Sequence, residues 1–354
     1  MQPTIENLKK VYNLLEDEES KYTYINRLNY LVTGNIVYMQ AIVDRYLPEL
    51  PRYKSKSLEE VLSELPSDKK FVLFGAGGVG KAYLPLFQKD LRFWGFCSST
   101  QEKQKNGFMG YPVMSPEELF LQKNMSVIIS AASAKQEIEE LLYKNNYPQD
   151  LIFTLDGYQT SYNDQYFGPD FMRYEEEEVF LDVGSCNLRD SLSLRDHCHY
   201  VKKVYAFEPD PQNYAVCQRN IERYHFPEVE LLPFGAWSED TTLHFSAVGS
   251  GTSCVNGNGE IQVPVRAIDH VIPEEEQVTF IKMDIEGSEL EALKGACRTI
   301  QRCRPKLAIS LYHKPEDMTE IPLYIQSLVP GYKFYVRHHS NCYSETVFYA
   351  IFPH

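Results

Sequence analysis

Residues 280–295 read FIKMDIEGSELEALKG, an apolar run followed by four carboxylates and a helical pattern. The run FIKM has the length and composition of a buried strand. Ser288 and Glu291 fit the S-x-x-E capping box that begins a helix. A strand that passes into a helix through a polar tip is the repeating unit of an α/β sheet. The stretch therefore predicts a strand, a tip that carries Asp284 and Glu286, and a helix.

Other apolar runs in the second half of the chain end at polar or glycine-containing tips in the same way. Helical patterns such as DPQNYAVCQRNIERY separate them, which predicts a parallel sheet. The last two runs, GYKFYVRHHS (331–340) and ETVFYAIF (345–352), predict an antiparallel pair that closes it. The earlier runs are VFLDVG (179–184), KVYAFEPD (203–210), EVELLPFGAWS (228–238) and KLAISLYHK (306–314).

The first half contains a separate α/β signal. KKFVLFGAGGVGKAYLPLF places a G-x-G-x-x-G loop, with Gly75, Gly77 and Gly80, between a strand and a helix, which is typical of a dinucleotide-binding unit. The acid expected about 20 residues later is absent, since that position reads FCSS at 96–99. A bound nucleotide and a tight turn for helix packing both remain open.

These signals divide the chain into four predicted segments. Helical spacing before the glycine loop predicts an extension, and the polar stretch SYNDQYFGPDFMRYEEEE reads as a linker. The segments are a helical extension at 1–66, a small Rossmann-like domain at 67–160, a linker at 161–176 and a second α/β domain at 177–354.

Composition excludes several classes of protein. The 354 residues carry a net charge of -14, which disfavours nucleic acid and anionic membranes as partners. No uncharged apolar window of about 18 residues exists, and MQPTIENLKK lacks a signal-peptide core, so we expect a cytoplasmic protein without membrane insertion. The eight cysteines include no C-x-x-C pair. Nothing in the sequence indicates an oligomeric state.

Two neighbouring strand tips have the chemistry of a nucleoside-binding site. Asp182 and Gly184 end one run, and Glu208 ends the next, 24 positions after Gly184. Glycine lets the backbone approach a ligand, and an acid at the next tip can accept hydrogen bonds from ribose hydroxyls. The pair indicates a nucleoside-containing cofactor.

The ordered set LDVGS, YAFEPD, FGAWS, IKMDIEGSELEALKGA and SLYHK resembles the FkbM family of S-adenosylmethionine-dependent methyltransferases. The resemblance covers residues 177–352 and implies a seven-stranded class I methyltransferase fold. It further implies O-methylation of a sugar, glycan or other hydroxylated metabolite. By the same resemblance, Asp182, Gly184 and Ser185 lie near the methionine part of the cofactor, Glu208 holds the ribose, and Gly235, Ala236 and Trp237 lie near the adenine.

The chain departs from the family pattern at one position. Family members usually have a third glycine after D-x-G-A, and here that position is Leu188. We expect the bulkier residue to keep the helix further from the cofactor and to alter the methionine pocket. A catalytically silent module that binds a nucleotide sugar or cofactor is therefore an alternative. An NAD-dependent oxidoreductase built on the GAGGVG lobe is a second one.

Methyl transfer to a hydroxyl needs alignment and a base. His313, just past the run AISL, is the predicted base because its ordinary pKa is near neutral. Asp284, also expected beside the cofactor, and Glu286 are predicted to orient the acceptor or to hold a divalent cation. Glu289 is a weaker candidate, since it favours the positive end of the helix. The insertion at 244–260 is the predicted lid over the acceptor.

Overall fold

The structure is a computed structural model that describes residues 4–48, 58–77, 80, 81, 84, 87–130, 135–154, 164–246, 254, 255, 261–341 and 343–353. The chain forms two compact units, one of residues 1–51 with 160–354 and one of residues 52–159. The predicted extension 1–66 is thus divided, because its first part belongs to the unit that contains the C-terminal half.

Three helices begin the larger unit: α1 (Ile5–Leu14), α2 (Glu18–Thr33) and α3 (Val37–Tyr46). Side-chain oxygens cap the first two, since Thr4 accepts from the amide of Asn7 and Asp17 accepts from the amide of Ser20. Gly34 ends α2 in the left-handed conformation at a φ of 66°, which glycine tolerates best. The helical spacing of this segment was read correctly from its sequence.

The smaller unit contains a five-stranded parallel sheet in the order β3-β2-β1-β4-β5, which matches the first five strands of the Rossmann order. Its elements are α4 (Leu58–Glu64), β1 (Phe71–Phe74), β2 (Phe93–Cys97), α5 (Gln101–Asn106), β3 (Val113–Met114), α6 (Pro116–Gln122), β4 (Ser126–Ile129), α7 (Lys135–Lys144) and β5 (Ile152–Thr154).

The glycines of the GAGGVG loop follow β1, as the motif requires. A Cβ at Gly80 would lie 2.3 Å from the carbonyl oxygen of Gly75, whereas nothing lies within 4 Å of a Cβ at Gly77. The third glycine is therefore needed for close backbone packing. Lys103 Nζ donates to the carbonyl of Ala76 at 2.7 Å. The function of this loop stays a prediction.

The larger unit contains a seven-stranded sheet and a small four-stranded sheet. The elements are β6 (Glu178–Val183), α8 (Arg189–Leu194), β7 (Val201–Phe207), α9 (Pro211–Tyr224), β8 (Val229–Leu232), β9 (Gly235–Ala236), β10 (Thr241–Ser246), β11 (Cys254–Val255), β12 (Ile261–Arg266), α10 (Ile268–Val271), β13 (Phe280–Met283), α11 (Glu289–Lys294), α12 (Cys297–Cys303), β14 (Lys306–Ser310), α13 (Asp317–Leu328), β15 (Lys333–His338) and β16 (Thr346–Ile351).

The seven strands lie in the order β15-β16-β14-β13-β6-β7-β8. β16 is antiparallel to both of its neighbours, and the other pairs along the sheet are parallel. This confirms the predicted parallel sheet with a closing hairpin. The strand order reverses between β6 and β13, so the crevice for a ligand lies beyond the carboxyl ends of these two strands.

The small sheet has the order β11-β10-β12-β9, with β10 antiparallel to β12. It holds the parts of the predicted lid that are described. Residues 247–253 and 256–260 of that lid lie outside the described residues.

The predicted linker 161–176 is packed in its described part rather than solvated. Tyr166 and Phe167 are 1% and 2% exposed and join an apolar cluster with Phe180 of β6 and Phe280 of β13. Burial of aromatic surface contributes about 25 cal/mol per Å², which outweighs the polar composition of the stretch. The segment therefore belongs to the core of the larger unit.

Candidate active site

The tips of the two central strands touch each other at Gly184. This residue follows β6 with a φ of +87°, and a Cβ there would lie 2.1 Å from the carbonyl oxygen of Asp284 after β13. Any side chain at Gly184 would thus overlap backbone, and the φ value is one that L side chains rarely adopt. The two predicted site residues are held in direct backbone contact.

Asp182 lies beneath this contact and is fully buried. Its Oδ1 is 3.1 Å from Nζ of Lys282, and its Oδ2 accepts from Oγ of Ser191 at 2.5 Å. Lys282 Nζ is also 3.1 Å from Oδ2 of Asp190 and donates to the carbonyl of Gly184 at 2.7 Å. Asp182 therefore organises the loop after β6 from below.

Lys282 was not singled out from the sequence, although a lysine inside an apolar strand is a usable signal. Burial alone would lower its pKa, but the carboxylates of Asp182 and Asp190 raise the pKa above its usual range. The lysine is thus charged, and it pairs with the buried carboxylate of Asp182 and with the partly exposed carboxylate of Asp190. Its three contacts set the path of the chain from Gly184 to α8.

The loop after Gly184 has an unusual backbone. Cys186 and Leu188 have φ values of 50° and 64°, in the left-handed region. Leu188 thus adopts the conformation that the glycine of the family pattern takes without strain, at a cost of about 1–2 kcal/mol. Its side chain is fully buried in an apolar cluster. Ser185 Oγ donates to the carbonyl of Asp182 at 3.0 Å and faces inward.

Glu208 lies at the tip of β7, beside this loop, and is 4% exposed. Its Oε2 accepts from the amide of Cys186 at 2.7 Å, and its Oε1 accepts from the amide of Asp210 at 2.9 Å. Burial raises the pKa of Glu208 to about 7, although the two amide bonds oppose that shift. The carboxylate is therefore oriented toward the loop after β6.

Gly235, Ala236 and Trp237 lie near the tip of β7 as well. A Cβ at Gly235 would come within 3.7 Å of Pro209 Cγ, next to Glu208. β9 pairs with β12, and the amide of Trp237 donates to the carbonyl of Arg266 at 2.9 Å. The three residues predicted to contact adenine are therefore grouped with the residue predicted to hold ribose.

On the other side of Gly184, Asp284 is held by two tyrosines that sequence reasoning missed. Tyr166 Oη donates to Oδ2 of Asp284 at 2.8 Å, and Tyr312 Oη donates to Oδ1 at 3.2 Å. Burial, followed by the charge of Asp284, raises the pKa of both phenols well above the usual range. Tyr312 precedes the predicted base His313 in the sequence, whereas Tyr166 comes from the stretch read as a linker.

The carboxylate that holds the start of α11 is Glu289 and not the predicted Glu291. Ser288 makes no capping hydrogen bond from its side chain, so the predicted capping box is wrong. The φ and ψ of Ser288, -103° and 5°, are not the extended values of a capping residue. Glu291 instead pairs with Lys294 at 2.5 Å on the surface. Glu289 holds the turn, because its Oε1 accepts from the amide of Ile285 at 2.9 Å.

Glu289 is fully buried and also binds His313, whose Nδ1 is 2.9 Å from Oε1. Burial alone would lower the pKa of His313, but the hydrogen bond and charge of Glu289, with the charges of Asp284 and Glu286, raise it to about 9. The imidazole of His313 is therefore protonated at neutral pH. The predicted base is thus a cation among carboxylates.

Glu286 is the most open carboxylate of this group, with 26% of its side chain exposed. It has a φ of 55°, and its Oε2 lies 3.7 Å from Nε2 of His313. Burial raises the pKa of Glu286 to about 7. The structure therefore brings together the three residues predicted to be catalytic, His313, Asp284 and Glu286.

A seven-stranded sheet of this order, with a glycine loop and an acidic tip on adjacent strands, defines the Rossmann-like methyltransferase fold. Residues 182–334 match the family described as Methyltransferase FkbM domain. The resemblance seen in the sequence is thus confirmed by a match to the FkbM methyltransferase domain over residues 182–334.

Individual relatives extend this finding. Hexuronic acid methyltransferase AglP from Haloferax volcanii is 29% identical over 153 residues, which are 42% of this chain and 62% of that protein. The match therefore spans less than two thirds of that relative's length.

A solved structure shares the fold. The methyltransferase FkbM from Methylobacillus flagellatus KT has a TM-score of 0.51 at 19% identity, over 92% of this chain and 98% of that chain. A Streptococcus mutans protein solved in complex with SAH has a TM-score of 0.33 at 14% identity, over 50% of this chain and 89% of that one. Among the described residues, no helix combines the length and apolar character needed to cross a membrane.

Proposed function

We propose that this protein transfers a methyl group from S-adenosylmethionine to a hydroxyl group of a sugar, a glycan or a similar metabolite. One observation carries the proposal. Glu208 and Asp284 follow β7 and β13, the two neighbours of β6, so both acids flank the Gly184 turn at one edge of the sheet. The proposed cofactor site on the β7 side and the proposed acceptor site on the β13 side would thus meet at Gly184.

The residues on the β7 side suit S-adenosylmethionine. Gly184 lets the tips of β6 and β13 pack backbone to backbone, since a Cβ there would lie 2.1 Å from the carbonyl oxygen of Asp284, and this packing forms the floor of the proposed site. Glu208 keeps one carboxylate lone pair on each oxygen after its two amide bonds. The residues that would hold the cofactor are Asp182, Gly184, Ser185, Glu208, Gly235, Ala236, Trp237 and Asp284. The cofactor would supply the methyl group on a sulfonium.

The β13 side would receive the acceptor. Asp284 is held by Tyr166 and Tyr312, so its carboxylate has a fixed orientation at the Gly184 boundary. In-line displacement gains from such alignment, because a hydroxyl held by a fixed carboxylate needs no reorientation at the moment of transfer. Glu286 and His313 complete the acceptor side, with Glu286 on its open edge. As the new C–O bond forms, the hydroxyl must lose its proton, and a carboxylate that accepts its hydrogen bond can take that proton.

A sugar is the favoured acceptor class. The relative AglP is described as a hexuronic acid methyltransferase, and carboxylates with tyrosines suit the hydroxyls of a sugar ring. The support is the sequence similarity together with this chemistry.

Isotope transfer tests the proposal. The purified protein is incubated with methyl-labelled S-adenosylmethionine and a panel of hexuronates, hexosides and nucleotide sugars, and products are followed by mass spectrometry. We expect one labelled methyl group on one class of acceptor, and its loss in Asp284→Asn. Thermal protection by S-adenosylmethionine is measured in parallel, with Glu208→Gln as the variant that loses it. Absence of that protection in the wild type would overturn the proposal.

A further inference from the structure

Beneath the acceptor side lies a cluster that the methyl-transfer proposal leaves partly unexplained. Asp284, Glu289 and His313 each present a ligand-type atom, and these atoms all lie within 4.8 Å of one another. Glu289 is fully buried, and the His313 side chain is 8% exposed. Even with the imidazole protonated, one positive charge faces the carboxylates of Asp284 and Glu289, and enclosing the excess negative charge is costly unless a further cation binds beside it.

Two atoms of the cluster lack hydrogen-bond partners. Nε2 of His313 and Oε2 of Glu289 are buried and accept or donate no hydrogen bond. Buried polar side-chain atoms are nearly always paired, and an exception in a native fold calls for an absent water or ion. Both orphan atoms belong to residues of the same ligand-capable group. This observation is independent of the clustering itself.

The distances from Nε2 to the neighbouring carboxylates fit coordination of one metal ion better than a hydrogen bond. Nε2 lies 3.4 Å from Oδ1 of Asp284 and 3.7 Å from Oε2 of Glu286. A hydrogen bond between such atoms would span about 2.7–3.2 Å. Two ligands bound at about 2.0–2.2 Å to one ion, at angles of 90–110°, lie roughly 3–3.6 Å apart, a range that contains the Asp284 separation and ends just short of the Glu286 separation.

The hydrogen bonds around these residues also resemble the outer-shell hydrogen bonds that orient metal ligands. Nδ1 of His313 is 2.9 Å from Oε1 of Glu289, which turns Nε2 toward Asp284. Tyr166 and Tyr312 fix the Asp284 carboxylate from the other side. Hydrogen bonds of this kind, on the second ring nitrogen of a histidine and on a ligating carboxylate, accompany metal sites in general.

We propose that Nε2 of His313 and the carboxylates of Asp284 and Glu286 bind one divalent transition-metal ion, while Glu289 holds the other ring nitrogen of His313. An imidazole with carboxylates suits Mn²⁺, Fe²⁺, Co²⁺ or Zn²⁺, whereas Ca²⁺ and Mg²⁺ prefer oxygen ligands alone. The ion would take the place of the proton on Nε2. The site is a claim about binding, so it stands apart from the proposed methyl transfer.

The test uses the full chain after removal of metal by a chelator and measures binding of Mn²⁺ by the loss of its free-ion electron paramagnetic resonance signal. Calorimetry with Zn²⁺ and the visible spectrum of Co²⁺ are parallel measurements. We expect one ion per chain, with a cobalt spectrum that indicates nitrogen and oxygen ligands. Lack of stoichiometric binding of all three ions overturns the proposal.

Variants locate the site. His313→Gln and Glu289→Gln should weaken binding by about tenfold or more, the loss typical of disturbed ligand shells. Glu291→Gln is the matched control, because this carboxylate lies on the same helix but on the surface beside Lys294. Equal affinity in Glu289→Gln and Glu291→Gln would place the ion elsewhere and refute the assignment.

Two checks separate the outcomes. Unfolding temperatures of the metal-free variants show whether the fold survives, and Asp284→Asn, which preserves volume, provides a second variant if His313→Gln does not fold. Heat protection by S-adenosylmethionine is recorded on the same metal-free wild type. Cofactor binding without metal binding overturns the metal site alone, and metal binding without cofactor binding overturns the proposed function alone.

Discussion

Oδ1 of Asp182 lies 3.1 Å from Nζ of Lys282, and these two residues, 100 positions apart in the chain, are both almost completely buried. The bond joins neighbouring strands at the point where the chain leaves β6 for the glycine turn. Since Lys282 also holds the carbonyl of Gly184, the same ammonium group supports the fold and shapes the candidate cofactor loop.

Removing the charge of Lys282 should therefore strongly lower the stability of the protein. Lys282→Met leaves the carboxylate of Asp182 buried without its cation, and we expect the free energy of unfolding to fall by about 3–5 kcal/mol. Urea denaturation measures it. Lys294→Met, which breaks the surface pair with Glu291, should cost less than about 1 kcal/mol. Similar losses in both variants would show that Lys282 does not carry this role.

A methyl group at the glycine turn should disrupt the site. Gly184→Ala puts a Cβ 2.1 Å from the carbonyl oxygen of Asp284 at a φ of +87°. The strained φ and the overlap together predict a loss of about 2 kcal/mol or more in stability, and loss of heat protection by S-adenosylmethionine. Gly77→Ala is the control, since nothing lies within 4 Å of its Cβ. Unchanged cofactor protection in Gly184→Ala would contradict the assigned site.

Cofactor affinity should depend on pH through Glu208. Burial raises the pKa of this carboxyl to about 7, so it is protonated below pH 7 and ionised above it. The ionised form accepts from ribose hydroxyls, and we expect the dissociation constant to rise as pH falls from 8 to 6, by up to about tenfold over the whole interval. Calorimetry at both pH values measures the change, and Glu208→Gln should flatten it. The same slope in wild type and variant would refute the role.

The stability of the ligand-free protein should respond to Glu208 in the opposite direction. A carboxyl whose folded pKa lies above its unfolded value binds more protons in the folded state between the two pKa values, so its ionisation lowers stability as pH rises from about 4.5 to 7. Comparison of unfolding free energies of wild type and Glu208→Gln across this range isolates the contribution. The difference between them should grow with pH and level off above about 7.

Restoring the family glycine at position 188 should destabilise the protein, despite the strained backbone. Leu188→Gly relieves about 1–2 kcal/mol of left-handed strain but removes a fully buried side chain that contributes about 2–3 kcal/mol and leaves a cavity. Thermal unfolding measures the net loss. Met109→Gly relieves similar strain at an exposed position with a φ of 52° and should be neutral or stabilising. A higher unfolding temperature in Leu188→Gly would show that relief of backbone strain outweighs loss of the buried side chain.

The N-terminal helices should matter for the acceptor side. Arg27 of α2 is 1% exposed, donates to the carbonyls of Tyr312 at 3.1 Å and of Tyr343, and so supports the chain beside Asp284. Arg27→Met should lower the unfolding temperature and raise the KM for the acceptor more than it changes kcat. Arg45→Met, which loses an exposed contact with the Tyr22 ring, is the matched control. Equal KM values in the two variants would argue against this support.

The sequence predicted the strands and their tips because apolar runs with polar ends are local signals. Asp284, Glu286 and His313 were found for this reason. Glu289 was underrated, since S-x-x-E describes a spacing, whereas the φ and ψ of Ser288 decide whether it can cap. Tyr166 was missed because its stretch is polar overall, and only the packed core shows where two of its aromatic rings lie.

Long-range contacts account for the rest. Arg337 of β15 pairs with Asp17 at 2.6 Å across 320 positions, and no local pattern in either segment indicates the other. The helical character of residues 4–48 could thus be predicted, but their place in the larger unit could not.

The docking of α1 and α2 along β15 has a practical meaning for protein production. Leu15 bridges to Phe334, and Ser20 Oγ accepts from the amide of Val336, so the outermost strand of the sheet is covered by residues far outside the matched stretch 182–334. A shortened chain that begins at the family boundary would expose an unpaired edge, the surface on which strands of separate molecules join into aggregates. The segment that must be expressed together is therefore longer than the segment that the enzyme family shares.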